Sequence, residues 1–226
     1  MRKGLLLWDI DGTLITSKSH HRFSLHQRAL SPSPELFTWN EEGMSGHTDW
    51  QVLEHLIFSQ KSNSNLLSLQ DAFRKIDELY ELDVKSNVTI ERNEGIHENL
   101  FDSLNACGWN LGVLTGNTKI RMQTKLLKAG LESYFEEKYK FFCERGNSRE
   151  NILGKALHEA KKEFQTLIIV GDTPYDIKIA KESDLKCVAV GTGKYRKEEL
   201  LSLNPDLFIN NFQNDLEIFH EFLGKL

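Results

Sequence analysis

Residues 5–14 read Leu-Leu-Leu-Trp-Asp-Ile-Asp-Gly-Thr-Leu, an apolar run that stops on two carboxylates one residue apart. In extended backbone, positions i and i+2 face the same way, so Asp9 and Asp11 both address one point just beyond a buried strand. Two anions that close repel by about 4 kcal/mol at an effective dielectric of roughly 20. A fold keeps such a pair where a cation or a shared proton sits between them. Gly12 lets the chain turn, and Thr13 can bond back to the loop. Taken alone, the peptide also fits a strand ending in a solvated acidic turn, so the rest of the chain has to decide.

Short apolar, β-branched runs recur with helical patterns between them. The strand candidates are Leu5–Ile10, Leu111–Thr115, Lys138–Cys143, Thr166–Gly171, Cys187–Val190 and Leu207–Ile209. Ile120, Leu127, Leu131 and Tyr134 keep a helical stripe; Ile152, Leu153, Ala156, Leu157, Ala160 and Phe164 keep a cleaner one. Pro174, two positions after Asp172, starts a further helix carrying Ile177 and Ala180. Nearly continuous apolar strands alternating with helices predict an α/β fold, a doubly wound parallel sheet covered on both faces. From about Thr16 to Arg92 no strand pattern is evident, only helical ones such as Trp50–Phe58 and Leu66–Leu82. Two breaker-rich stretches divide them, Ser31-Pro32-Ser33-Pro34 and the polar Ser59–Asn65, which reads as an exposed loop. A helical insert after the first strand follows, its entry and exit close together at the carboxyl edge of the sheet.

Composition narrows the function classes. Lys plus Arg number 28 against 33 acids, a net charge of −5, with no basic stripe interleaved with aromatics, so nucleic acid is not an expected partner. Cys107, Cys143 and Cys187 are odd in number and widely spaced, which suits a reducing compartment. The apolar run after Met1-Arg2-Lys3 collides with Asp9 too early to be a signal peptide, and nothing approaches a membrane span. The expectation is a cytoplasmic protein, a monomer or a homodimer, without a membrane partner.

Three strand candidates end on the same kind of feature. The first ends at Asp9 and Asp11, the second on Thr115-Gly116-Asn117, and the fourth on Gly171-Asp172-Thr173-Pro174-Tyr175-Asp176. Parallel strands place their carboxyl ends on one edge, where open α/β sheets bind ligands. Asp9, Asp11, Thr115, Asp172 and Asp176 are therefore expected in one crevice. Four carboxylates and a hydroxyl at a helix start suit Mg²⁺ facing a phosphate, since Mg²⁺ takes hard oxygen ligands and a helix N-terminus takes anions.

On these residues the chain resembles the haloacid dehalogenase-like (HAD) hydrolase superfamily. Its Asp-x-Asp-Gly-Thr motif is matched by Asp9–Thr13, its strand-tip Thr or Ser by Thr115, and its Gly-Asp-x-x-x-Asp by Gly171–Asp176. The likeness covers residues 1–16 and 93–226 as a Rossmann-like core, and residues 17–92 stand where relatives with a C1-type helical cap carry it. Gly43-Met44-Ser45-Gly46-His47-Thr48-Asp49 resembles a turn of phosphoglycolate phosphatase-like members. The resemblance implies that Asp9 is the nucleophile, forming an aspartyl-phosphate, and that Asp11 is the acid and then the base. It implies Mg²⁺ on Asp9, the Asp11 main-chain carbonyl and Asp172, with Asp176 in the outer shell. Thr115, Gly116 and a cation would hold the phosphate. Many relatives supply that cation as a Lys ahead of the helix preceding the last motif; here the position reads Gly146-Asn147-Ser148-Arg149-Glu150, which favours Arg149, with Lys155 in reserve.

The implied activity is Mg²⁺-dependent hydrolysis of a small phosphorylated metabolite. A sugar phosphomutase shares these motifs. A non-catalytic phospho-ligand binder is expected to lack Asp11 or the cap. Other candidates have plainer readings: Gly191-Thr192-Gly193-Lys194 as a loop after a strand, His20 and His21 as polar hinge residues, Trp8 as packing on the sheet. Trp50 fits either the substrate cavity or the core of the insert.

Overall fold

The computed structural model describes residues 3–36, 44–60 and 66–226. In chain order its elements are β1 (Gly4–Trp8), β2 (Ile15–Ser19), α1 (Leu25–Leu30), α2 (Asp49–Ser59), α3 (Leu69–Asp83), β3 (Val88–Arg92), α4 (Glu98–Ala106), β4 (Trp109–Thr118), α5 (Lys119–Lys128), β5 (Lys140–Cys143), α6 (Arg149–Ala160), β6 (Thr166–Gly171), α7 (Pro174–Glu182), β7 (Lys186–Val190), α8 (Lys197–Ser202), β8 (Leu207–Ile209) and α9 (Leu216–Gly224). Six strands form one sheet in the order β5-β4-β1-β6-β7-β8, every pairing parallel. The order reverses at β1, which lies between β4 and β6, and the crevice of an open α/β sheet lies at such a reversal.

β1 is central, and all five of its residues are buried. Leu6 and Trp8 point into one apolar layer; Leu5 and Leu7 point into the other. Trp8 is a packing residue, its ring 5.0 Å from Phe212 and 5.9 Å from Phe101. The second layer is closed by α6, whose Ile152, Leu153, Ala156 and Ala160 are buried at helical spacing.

Two features depart from the sequence reading. Ile15–Ser19 and Val88–Arg92 form an antiparallel ribbon within the stretch that shows no strand pattern, with Ile15 opposite Arg92 and Ser19 opposite Val88. Their alternating, half-exposed and polar residues carry no continuous apolar run, and apart from a bridge between Ile15 and Asp11 the two strands pair, among the described residues, with each other across the whole insert. The ribbon carries the chain out to α1–α3 and back, and those helices share an apolar cluster of their own built on Leu30, Leu53, Leu56 and Ile76. The α5 stripe is also misphased: Leu127 is 64% exposed, and the buried face consists of Met122, Lys125 and Leu126. A charged residue on that face hides it from a reading by hydrophobic period. Residues 61–65 of the polar Ser59–Asn65 stretch, and Gly43 of the Gly43–Asp49 turn, lie outside the described residues.

Leu7→Ala removes a fully buried side chain from the central strand, and such truncations destabilise by about 2–5 kcal/mol. Urea unfolding is expected to show a lower midpoint with an unchanged slope.

Candidate functional site

The turn after β1 is set by Gly12, whose φ of +84° suits glycine, and a Cβ there would lie 2.3 Å from an Asp172 carboxylate oxygen. This close approach seats the first acidic loop directly on the end of β6. Asp9 follows β1 and donates its N–H to the Val170 carbonyl, 2.9 Å away. Asp172 follows β6 and accepts from Thr13 Oγ1 at 3.0 Å. Asp176 lies in the first turn of α7, where its Oδ2 accepts from the Thr173 backbone N–H and hydroxyl in a capping box. Asp9, Asp172 and Asp176 are all buried and can bring carboxylate oxygens within 4.8 Å of one another.

One cation enters this cluster. Ser148 caps α6 and places Arg149 at its first position, buried to 1% exposure, with Nη2 2.9 Å from Asp9 Oδ1 and 2.7 Å from Asp176 Oδ1. Its Nε is buried with no hydrogen-bond partner among the described residues. Lys155 instead pairs with Glu144 at 3.1 Å on the outer surface. The geometry brings Arg149 into the crevice and leaves Lys155 outside it.

Burial pushes the Asp9 carboxyl up to about 7, against the pull of Arg149. Burial, reinforced by Asp9 and Asp176, holds Asp172 well above the ordinary carboxylate range. Three buried carboxylates with one guanidinium between two of them leave negative charge uncompensated. Hard oxygen donors in that state fit a divalent cation, and Asp9 and Asp172 are the pair best placed to hold it, because both Asp176 oxygens are already bonded.

Asp11 is aimed elsewhere. Its carboxylate turns from the trio toward Lys125 Nζ at 2.5 Å and Asn117 Nδ2 at 2.8 Å. Burial would raise its pKa, but Lys125 and Arg121 lower it below the usual value. Thr115 is buried, its Oγ1 accepting from Asn117 Nδ2 at 2.7 Å. It does not stand at a helix start as expected: β4 runs on to Thr118, with a register shift against β5 after Leu114, and α5 begins only at Lys119. Thr115 and Gly116 are thus presented by extended backbone.

Above these residues lies a cavity of about 180 Å³. Its floor includes Asp9, Asp11, Thr115, Gly116, Arg149 and Asp172, and its roof Met44, Ser45, Gly46, His47 and Val52. The roof sits close because Gly116 has no side chain; a Cβ there would lie 2.4 Å from the His47 carbonyl oxygen. Asp49, at the start of α2, ties roof to floor: Oδ2 accepts from the Thr118 N–H at 2.8 Å, and Oδ1 from Arg121 and from His26 at 2.9 Å. Arg121, His26 and Lys125 escaped sequence reasoning, since isolated polar residues on α1 and α5 carry no spacing signal; Asp49 and Asn117 stood inside quoted motifs without a role of their own. Thr192, in the glycine-rich loop after β7, donates to the Gly12 carbonyl at 2.5 Å and so braces the first turn. His20 and His21 bond Thr89 and Asp83 on the side of the ribbon and α3, and Trp50 packs edge-on against Phe73 of α3.

Residues 6–190 match the family model described as haloacid dehalogenase-like hydrolase. A curated protein of Clostridium perfringens that carries the name pyrophosphatase PpaX is 23% identical over 215 residues, spanning 91% of this chain and 92% of that one. Among solved structures, CbbY from Rhodobacter sphaeroides in complex with phosphate superposes with a TM-score of 0.67 at 18% identity, covering 95% of this chain and 96% of its own. A predicted phosphoglycolate phosphatase from Haemophilus somnus gives 0.66 at 16% identity, covering 97% and 99%. At these identities the two structures share the fold.

Arg121, His26 and the Thr118 N–H hold the Asp49 carboxylate charged, so its pKa in the fold lies below its unfolded value despite burial. A lowered carboxylate pKa contributes stability above the unfolded pKa of 3.8 and loses it as pH falls toward the folded value. Asp49→Asn leaves Arg121 buried without its charge partner and is expected to lower unfolding free energy by about 3–5 kcal/mol at pH 7. Urea titrations of both proteins should show that difference shrinking as pH drops below 3.8.

Proposed function

This chain belongs to the haloacid dehalogenase-like hydrolases, and from that premise we propose that it hydrolyses the phosphate monoester of a small metabolite through an aspartyl-phosphate on Asp9. The observation that carries the reading is the convergence of Asp9, Asp172 and Arg149 beneath one cavity, with Thr115 and Gly116 on the same floor. A phosphomonoester brings a dianionic group and an alkoxide leaving group, and this floor supplies a counterpart for each.

Asp9 approaches phosphorus opposite the leaving oxygen, and its carboxylate forms the new bond as the ester bond breaks. Thr115 Oγ1, the Gly116 N–H and Arg149 hold the transferring oxygens, positioning the phosphoryl group and offsetting the charge that develops on it. Asp11 gives a proton to the departing oxygen and later takes one from the water that cleaves the acyl-phosphate, two steps of opposite proton direction served by one carboxyl. Asp176 holds Arg149 against Asp9. Mg²⁺, held by Asp9, Asp172 and the main-chain carbonyl of Asp11, would screen the approach of one anion to another.

In this reading residues 17–92 are a cap over a core of 1–16 and 93–226, hinged by the β2–β3 ribbon, and its closure excludes water before chemistry. Support comes from the separate apolar cluster of α1–α3 and from the Asp49 bridge to Thr118 and Arg121. A cavity of about 180 Å³ suits a compact metabolite. No helix among the described residues is long and apolar enough to cross a membrane.

Two outcomes test the proposal. Phosphate release from a generic aryl phosphate should require Mg²⁺, and Asp9→Asn should abolish it with an unchanged circular dichroism spectrum; retention of more than a few percent of turnover removes Asp9 as nucleophile. Return of the phosphoryl group to a second substrate hydroxyl instead of to water would mark a mutase. Arg149→Ala should weaken inhibition by inorganic phosphate by about tenfold or more, as expected for loss of a charge-assisted contact, whereas Lys155→Ala should leave it unchanged; the reverse order removes Arg149 from the phosphate site.

A further inference from the structure

Lys125 is a charged side chain exposed to only 1%, on the inward face of α5. Full burial of a lysine is rare unless it is paired. Its ammonium lies 2.5 Å from Asp11 Oδ2 and 2.7 Å from Asn117 Oδ1, beside the Tyr80 ring. Asn117 is used completely: its carbonyl accepts from Lys125, and its amide donates to Asp11 Oδ2 at 2.8 Å and to Thr115 Oγ1 at 2.7 Å. Both donors to the Asp11 carboxylate therefore fall on one oxygen. Among the described residues no hydrogen bond reaches Asp11 Oδ1, and the Asp11 side chain is 41% exposed where it borders the cavity.

Resting on the reading that Asp11 carries the proton, we infer that Lys125 and Asn117 are positioning residues that lock Asp11 by Oδ2 and leave Oδ1 as the oxygen that exchanges a proton with the leaving group. A simple ion pair would be satisfied at either oxygen. Two converging donors, themselves hydrogen-bonded to each other, fix the plane of the carboxylate. The same Asn117 amide holds the Thr115 hydroxyl, so the proton carrier and one phosphate contact share a single anchor. In the step itself, an Asp9 oxygen bonds to phosphorus, the ester P–O bond breaks, and the proton on Asp11 Oδ1 passes to the departing oxygen to give an alcohol. Water then attacks the phosphorus of the acyl-phosphate, the bond from phosphorus to the Asp9 oxygen breaks to free inorganic phosphate and the Asp9 carboxylate, and the proton from the water returns to Oδ1. Misalignment of Oδ1 slows the first step only where the leaving oxygen needs the proton.

Leaving-group dependence tests this. kcat/KM covers events from free enzyme to the first irreversible step, here ester cleavage, so the later use of Asp11 as base does not enter. Lys125→Met is expected to lower kcat/KM for an alkyl phosphate such as glycerol phosphate by about 10²-fold, the scale of general acid catalysis. For p-nitrophenyl phosphate, whose leaving oxygen needs no proton, the loss should stay under about threefold by the same reasoning. In an Asp11→Asn background Lys125→Met should add no further selective loss. Equal losses on both esters, no loss on either, or a selective loss that persists without the Asp11 carboxyl would overturn the inference while leaving the phosphatase reading standing. A wild-type enzyme that releases phosphate from neither ester overturns that reading, and the inference with it. If Lys125→Met does not fold, Asn117→Ala removes the second anchor and should shift the alkyl-to-aryl ratio in the same direction; an unchanged ratio overturns the inference.

Discussion

Repulsion among buried carboxylates is the constraint around which this molecule is arranged. Asp9, Asp172 and Asp176 are withdrawn from water within reach of a common ion, and Arg149 alone pairs with two of them. Burying unpaired charge is expensive; neighbours offset part of it, and burial raises the Asp9 and Asp172 carboxyls for the rest. The capping box of α7 engages Asp176, Thr13 engages Asp172, and Arg149 is delivered by the cap of α6. The negative charge that remains is what a divalent cation would offset.

A second set of polar contacts, on the other side of the cavity, joins the helical layer to the sheet edge. Asp49 bridges from α2 to Thr118 and Arg121, Asp77 of α3 accepts from the Thr118 hydroxyl, and Lys125 reaches from α5 to Asp11. These contacts flank the cavity while Gly116 lets the His47 backbone approach the floor. Roof and acidic loops are thereby fastened at β4, which presents Thr115 and Asn117, and at α5. In the proposed reading, closing the roof and aligning the floor are coupled through these shared residues.

Much of the fold was legible because parallel strands buried on both faces are written as short apolar runs. Thr166–Gly171 and Leu207–Ile209 match their runs to the residue, and β1 and β7 differ from theirs by one or two positions. The acidic residues of the crevice were legible because each follows such a run. The β2–β3 ribbon was not, since its strands are polar, half-exposed and paired with each other across the whole insert. The end of β4 was misjudged because pairing resumes at Thr118 after a register shift that skips Gly116 and Asn117, residues that normally end a strand. Lys125 was hidden for a different reason: it stands on a buried face where hydrophobic periodicity expects an apolar residue, and only its partners explain it. Departures of this kind gather around the cavity, where function overrides local rules.

The central claim is that Asp9 and Asp172 share one divalent ion in front of the phosphate-holding residues. Crystals grown with Mn²⁺ in place of Mg²⁺ and measured near the manganese absorption edge test it most directly. The account predicts one anomalous peak within ligand distance of carboxylate oxygens from both Asp9 and Asp172, lost in an Asp172→Asn crystal. A peak bound to neither carboxylate, or an empty crevice at saturating Mn²⁺, would contradict it.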